Sequence, residues 1–260
     1  MRNATPTTEI STLDENGIYI RGKSLVDDII GEISFTQMIY FHILGRMPTD
    51  GERKILDAVL VTLVDHGIAA SLGARLVYLG APDAIQGAIA TGILQLGSQF
   101  GGVMELIGGL LEEIIASDDQ DAKAREIVAR YRSSKKPVPG FGHPDHRPED
   151  PRTPKLLAVA EQAGVPGKYI AALKTLARAV DESLGKHITI NATSGMAALL
   201  GEIGVPCRIM RGFAAISRAA GIVGSIHEEI QRPVAFHMTR LAQETVKFTG
   251  PLPPSMAKKK

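Results

Sequence analysis

The sequence has almost no cysteine, almost no net charge and no long apolar run, and each absence excludes a class of protein. Its 260 residues include one cysteine, Cys207, which excludes an internal disulfide and every multi-cysteine metal motif. With 29 Lys and Arg against 28 Asp and Glu, the formal net charge is +1. This balance argues against a broad surface for nucleic acid or an anionic membrane. Apolar runs stay below the ~18 uninterrupted residues of a membrane helix. We expect neither a nucleic-acid nor a membrane partner.

What remains is the composition of an ordinary globular chain, 44% hydrophobic and 22% charged, long enough to bury a core without disulfides or a structural metal. Residues 1–9 are polar and lack the apolar stretch of a secretion signal. We therefore expect a cytoplasmic protein.

Apolar residues recur at helical spacing along most of the chain, which predicts an all-α fold. Thr49 and Glu52 form a capping-box pattern, and the apolar stripe behind them predicts a helix from residue 50 to His66. Thr153 followed by Pro154 predicts a second helix start, with the helix ending at Gly164. Further helices are expected over residues 35–44, 83–96, 122–131, 168–184, 194–203 and 211–230. Strand-like patterns are confined to residues 17–21 and 188–190.

Two segments interrupt this helical pattern. Residues 133–152 are rich in proline, glycine, histidine and charge, and a loop of this length inside a compact domain is usually functional or disordered. Residues 97–109 contain glycine pairs, each glycine disfavouring a helix by about 1 kcal/mol relative to alanine. Such glycines often allow another backbone or a ligand to come close.

The histidines of these regions allow two interpretations. His66, in the sequence Asp65-His66-Gly67, is expected either to close a helix by interacting with its last carbonyls or to serve a site. His143 and His146 lie in the proline-rich loop, where a structural histidine has little to pack against, and both interpretations stay open. With Asp145 they could ligate a metal, but the spacing fits no established motif, so we predict no metal site.

Arginines carry more information. Arg218 lies among alanines and serines on an apolar helix, where a guanidinium is costly unless something pairs with it. The planar fork of arginine suits carboxylates, so a bound di- or tricarboxylate is predicted for Arg152, Arg218 and Arg232. The alternative for Arg218 is an internal ion pair with Glu182 or Glu228.

Five blocks in a fixed order resemble the citrate synthase superfamily. They are DHG (65–67), FGG (100–102), GFGHP with DPR (140–144 and 150–152), NAT (191–193), and SRAAG, HEE and RP within 217–233. The similarity covers nearly the whole chain and is strongest to the short citryl-CoA lyase branch and the citrate-lyase module of ATP-citrate lyase. It implies an all-α, citrate synthase-like fold. Residues 1–105 and 207–260 would form a large, dimer-forming helical domain, and residues 106–206 an inserted smaller helical domain on the acyl-CoA side.

The resemblance also implies an activity. The expected reaction is cleavage, or the reverse condensation, of a carboxylated 3-hydroxyacyl-CoA to acetyl-CoA or another acyl-CoA and a 2-oxo acid such as oxaloacetate. A coenzyme A thioester would be substrate or product, with no tightly bound cofactor. The partners implied are an acyl-CoA, a di- or tricarboxylate, and a second copy of the chain in a homodimer or higher homo-oligomer, with the site in a cleft between the domains.

Site residues follow from the matching blocks. His143 would hydrogen-bond the oxygen at the carbon whose bond is made or broken, and His66 would hold the same end of the substrate. The expected carboxylate-binding residues are Arg152, Arg218 and Arg232, the last reaching across the dimer interface. The expected coenzyme A-binding residues are Gly140, Phe141 and Gly142. Phe100 stands where citrate synthases keep an enolising histidine, which favours the lyase branch.

One position departs from the family. The third residue of the NAT block is Thr193, where the family has the aspartate that moves a proton at the acetyl-CoA methyl group. A threonine hydroxyl is not ionised near pH 7, and losing a general base commonly costs about 10²–10⁴ in rate. Two hypotheses stay open: a lyase with an altered substrate or proton relay that still uses Thr193, and a catalytically impaired protein that binds coenzyme A esters or carboxylates without turnover.

Overall fold

The computed structural model describes residues 5–97, 102–251 and 253, and these are mostly helical, which confirms the all-α prediction. A small antiparallel sheet comes first, with strands β1 (Ser11–Leu13), β2 (Ile18–Ile20) and β3 (Lys23–Ser24) in that order. A π-helical turn follows over Leu25–Ile29. The described helices are α1 (Phe35–Leu44), α2 (Asp50–Thr62), α3 (Leu72–Gly80), α4 (Ile85–Leu94), α5 (Met104–Ile115), α6 (Gln120–Ser133), α7 (Arg152–Ala163), α8 (Lys168–Leu184), α9 (Ala192–Glu202), α10 (Met210–Gln231) and α11 (Ala235–Thr245).

The chain divides into two compact units. Unit 1 consists of Met1–Leu63 and Leu96–Ser217, and unit 2 of Val64–Gln95 and Arg218–Lys260. The core of unit 1 is large and is centred on α5 and α9, whose apolar side chains are almost all buried. Unit 2 has a small core of its own: Ala74, Ala88, Ile222 and Ile226. The expected domain division, 1–105 with 207–260 and 106–206, has other boundaries and stays a prediction.

Helix starts follow local capping, and one predicted helix end was wrong. Thr49 Oγ1 accepts the Glu52 N–H at 3.2 Å and Glu52 Oε2 accepts the Thr49 N–H at 2.8 Å, so the predicted capping box is confirmed. However, α2 ends at Thr62, four residues before His66. Asp65 Oδ1 accepts the His66 N–H at 2.5 Å, a local bond that competes with helical pairing. The helix therefore ends before His66.

The glycines of residues 97–109 do not exclude a helix, and α5 runs through the pair Gly108 and Gly109. A Cβ at Gly108 would lie 2.7 Å from Met210 Sδ and 2.8 Å from Cys207 Cβ, so this glycine lets two segments pack closely. The strand pattern at residues 188–190 was also wrong: only Ile190 pairs, in an isolated bridge with Phe141. Helices α3, α5 and α11 were not predicted.

By length and composition, the segment Cys207–Gln231 could cross a membrane, but half of its most apolar stretch is buried inside the protein, as in a core helix.

Candidate active site

The GFG segment of the long loop is held against the residues that precede α9. The Gly142 N–H donates to Thr189 O at 2.7 Å, and the Asn191 N–H donates to Gly140 O at 3.1 Å. The Asn191 side chain adds a third bond, from Nδ2 to Gly142 O at 3.1 Å. The predicted coenzyme A-binding residues Gly140, Phe141 and Gly142 are thus fixed on the start of α9, next to Thr193.

Two glycines allow this arrangement for different reasons. Gly140 has a φ of +83°, and a Cβ there would overlap Ser194 Oγ, which itself donates to Gly140 O at 2.8 Å. Gly142 has a φ of +84° with open space around it. Gly140 is therefore required by both backbone conformation and packing, whereas Gly142 is required by conformation alone.

The hydrogen bonds to the ring of His143 indicate which nitrogen carries the proton when the ring is neutral. Its Nδ1 accepts the backbone N–H groups of Asp145 and His146, both at 3.1 Å, so the neutral ring carries its proton on Nε2. The ring also stacks on His146, with centroids 4.4 Å apart. Arg152 Nη2 lies 3.4 Å from His143 Nε2. Both are donors in this state, so an oxygen atom placed beside them could accept from both.

Arg152 is oriented by Asp150, a carboxylate with no exposed surface. Asp150 accepts Arg152 Nε at 2.9 Å and Nη2 at 2.8 Å, together with the backbone N–H of Ala192 at 2.8 Å. Burial by itself would raise the pKa of Asp150, but the bonds from Arg152 and Ala192 outweigh it and lower that pKa to about 2. Asp150 is consequently ionised and fully engaged near neutral pH.

Four described acids that could replace the family's aspartate are engaged by other groups: Asp150, Asp181, Glu149 and Glu228. Thr193 lies half-buried in the first turn of α9, and Asp150, which bonds the preceding residue, is too weak a base. Asp181 and Glu149 both face His187, at 2.8 Å each. Glu228 pairs with Arg75 at 2.6 Å.

In unit 2, Arg218 is 7% exposed, and its Nε has no hydrogen-bond partner among the described residues. Burial lowers the pKa of the Arg218 guanidinium, and the charge of Asp65 counteracts this. Within residues 5–97, 102–251 and 253 no carboxylate lies at ion-pair distance from it, so the alternative of an internal ion pair was wrong; Glu228 is paired with Arg75 instead. A buried cation with no carboxylate at ion-pair distance is typical of an anion-binding position.

The other two predicted residues of unit 2 are exposed. Arg232 follows α10, and its backbone N–H donates to Glu228 O at 2.7 Å. His66 lies between α2 and α3.

The structure therefore brings together His143, Arg152, Thr193 and the GFG segment within unit 1, and places His66, Arg218 and Arg232 in unit 2. Phe100 lies outside the described residues. Sequence reasoning gave no role to Asp150, Thr189 or Ser194. The position of Asp150, two residues before Arg152 at the start of α7, was the available signal, because an acid there can reach both the helix start and the arginine.

This combination of a helical fold, a neighbouring histidine and arginine, and a glycine-rich loop fixed on a helix start is the one expected of a citrate synthase-like protein. Residues 34–234 match the family model "Citrate synthase, C-terminal domain". The chain belongs to the citrate synthase family.

Three relatives illustrate the relationship. The fold is similar to that of citryl-CoA lyase from Hydrogenobacter thermophilus, with a TM-score of 0.85 and 31% identity, covering 98% of this chain and 100% of that one. The fold also matches an ATP citrate lyase from Methanosaeta concilii, solved in complex with (3S)-citryl-CoA, with a TM-score of 0.75 and 17% identity over 100% of this chain and 44% of that one. The probable ATP-citrate synthase subunit 1 of Neurospora crassa is 31% identical over 143 residues, 53% of this chain. The chain spans only 21% of the length of that curated relative.

Proposed function

We propose that this chain is a citryl-CoA lyase-like enzyme. It cleaves a carbon–carbon bond in citryl-CoA or a related carboxylated 3-hydroxyacyl-CoA and releases acetyl-CoA or another acyl-CoA and a 2-oxo acid such as oxaloacetate. The observation that carries the proposal is the pair of donors, His143 Nε2 and Arg152 Nη2, 3.4 Å apart. The 31% identity to a citryl-CoA lyase over that protein's whole length supports it.

The donor pair fits the oxygen at which charge develops. In cleavage the substrate hydroxyl loses its proton to solvent water, its oxygen becomes a carbonyl, and the electrons of the broken bond form an enolate at the thioester α-carbon. That carbon then takes up one proton, which balances the reaction. His143 and Arg152 would donate to the oxygen as its proton leaves, and preorganised donors of this kind are typically worth about 10²–10³ in rate.

The other site residues would hold the remaining groups. Arg218 and Arg232 would bind substrate carboxylates, with His66 at the same end of the substrate, and Gly140, Phe141 and Gly142 would bind the coenzyme A thioester. Coenzyme A is then substrate or product and not a resident cofactor.

Thr193 favours a second candidate function. Because Thr193 replaces the family's aspartate and four described acids are engaged by other groups, the chain could instead bind coenzyme A esters or carboxylates without turnover. In the first proposal, Thr193 takes part in an altered proton relay, or water supplies the proton.

The test is to incubate the purified protein with citryl-CoA and follow acetyl-CoA and oxaloacetate, with His143→Ala as the matched control. Turnover well above the control supports the lyase. Tight binding of coenzyme A or citrate with turnover no higher than the control supports the binding protein.

We further propose a cytoplasmic homodimer. Unit 2 exposes many large apolar side chains: Leu76, Leu79, Ile85, Leu94, Val223, Ile230, Phe236 and Leu241. Contiguous exposed apolar side chains mark interaction sites, and these residues are the candidates for such a contact. Size-exclusion chromatography with light scattering is expected to give twice the 27.8 kDa chain mass, and a monomer would contradict the proposal.

A further inference from the structure

Glu229 is a buried carboxylate, 4% exposed, near the end of α10. Its Oε1 accepts the backbone N–H groups of Val234 and Ala235, both at 2.9 Å, and its Oε2 accepts Arg75 Nη1 at 3.0 Å. Burial alone would raise the pKa of Glu229, but these bonds lower it. The charge is therefore held in one place by three donors from two other segments of unit 2.

Arg75 completes the arrangement from α3. It is 5% exposed, its Nε donates to Ser71 Oγ at 3.2 Å, and its Nη2 donates to Glu228 Oε2 at 2.6 Å. A buried ion pair gains little stability overall, but removing one partner is costly because it leaves an uncompensated charge. Such a pair restrains the geometry of the segments it joins more than it adds stability.

Arg232 lies in the short segment between the end of α10 and the start of α11, the two elements that Glu229 connects. On one side, the Arg232 N–H donates to Glu228 O at 2.7 Å in the last turn of α10. On the other side, two residues later, Glu229 holds the N–H groups at the start of α11. The backbone that carries Arg232 is thus restrained from both directions, while its side chain is exposed.

From this geometry we infer that Glu229, supported by Arg75, is a positioning residue for Arg232. It sets the direction from which the guanidinium meets a substrate carboxylate and does not touch the substrate itself. The inference rests on the proposed function in so far as Arg232 is taken to bind a carboxylate.

The test is a double-mutant cycle of Glu229→Ala and Arg232→Ala in the full-length protein, with citrate affinity measured by calorimetry. We expect Glu229→Ala to weaken citrate binding about tenfold when Arg232 is present and less than about twofold in the Arg232→Ala background. Equal losses in both backgrounds would overturn the inference, since a purely structural role acts whether or not Arg232 is there.

Two further variants keep the result interpretable. Glu229→Gln retains a carbonyl oxygen for Val234 and Ala235 and is expected to restore most of the affinity, which also covers the case in which Glu229→Ala does not fold. Glu228→Gln is the matched control, because Glu228 pairs with the same arginine but leaves the α11 N–H groups untouched; it should stay within about twofold of wild type. If Glu229→Gln binds citrate no better than Arg232→Ala does, or Glu228→Gln loses as much affinity as Glu229→Ala, the inference fails.

The proposed reaction is judged separately. If the wild-type protein binds citrate but does not cleave citryl-CoA, the proposed lyase activity is wrong. The double-mutant cycle can still be interpreted in that case. Wild-type protein that does not bind citrate overturns the positioning inference, whatever its turnover of other thioesters.

Discussion

Asp150 and Arg152 form a side-chain pair with two hydrogen bonds, 2.9 and 2.8 Å long, in which the carboxylate has no exposed surface. The same carboxylate accepts the N–H of Ala192 at the start of α9. Arg152 is thereby tied to the segment that holds the GFG loop, so the charge of one residue orients both the arginine and the loop.

This pair predicts how stability depends on pH. The pKa of Asp150 falls from 3.8 to about 2 on folding, so the ionised carboxylate contributes about 2 kcal/mol above pH 4. That contribution should be lost as the pH falls from about 4 towards 2. Glu52, whose pKa is also lowered to about 2, mainly by Arg46, adds to the same transition. We expect Asp150→Asn to be less stable at pH 7 and to show a flatter loss between pH 4 and 2, measured by chemical denaturation at each pH.

The control is Asp145→Asn, an exposed acid of the same loop. It should reproduce the wild-type pH profile. An Asp150→Asn profile as steep as that of wild type would show that the pair does not carry the dependence.

The two glycines of the GFG segment should respond differently to alanine. Gly140→Ala adds a Cβ that overlaps Ser194 Oγ and lies 2.7 Å from Ile107 Cδ1, in addition to the strain at φ +83°. Gly142→Ala adds strain alone, about 1–2 kcal/mol. We expect Gly140→Ala to lower stability by at least twice as much as Gly142→Ala in urea unfolding. Equal losses would mean that backbone conformation, and not packing, decides both positions.

The helices whose bounds the sequence predicted best are those with strong local signals. Helix α1 begins after Ser34, whose side chain forms a capping box with Gln37, and α8 lies between two glycines, Gly167 and Gly185, with positive φ. Each signal acts within a few residues, so the pattern alone was enough.

Features that depend on distant residues were missed. Gly108 and Gly109 disfavour a helix locally, but the packing of Met210 and Cys207 against α5 comes from a hundred residues away. The donor from Ala192 that gives Asp150 its role is 42 positions along the chain. The family resemblance predicted Arg152 and His143 because it carries such long-range information in its blocks.

Glu202 holds the start of α8, so its removal should destabilise the protein. Its carboxylate, 8% exposed, accepts the N–H groups of Gly167 at 2.9 Å, Tyr169 at 2.6 Å and Ile170 at 2.9 Å. Glu202→Ala leaves three donors at a helix start without their partner and should cost about 2–4 kcal/mol in chemical denaturation. Glu161→Ala, at an exposed position of α7, is the control and should change stability by less than about 0.5 kcal/mol. A similar small change for Glu202→Ala would indicate that water replaces the carboxylate.

Thr193→Asp decides between the two proposed functions. An aspartate in the first turn of α9 is favoured by the free N–H groups of a helix start, so the substitution should be tolerated by the fold. If only the proton-transfer group is missing, the variant should cleave citryl-CoA about 10²–10⁴ times faster than wild type. Thr193→Asn is the matched control, since it has nearly the same shape and cannot accept the proton. A gain for aspartate and none for asparagine would show that the rest of the site is intact, whereas no gain for either, with folding retained, would mean that the site has diverged beyond one residue.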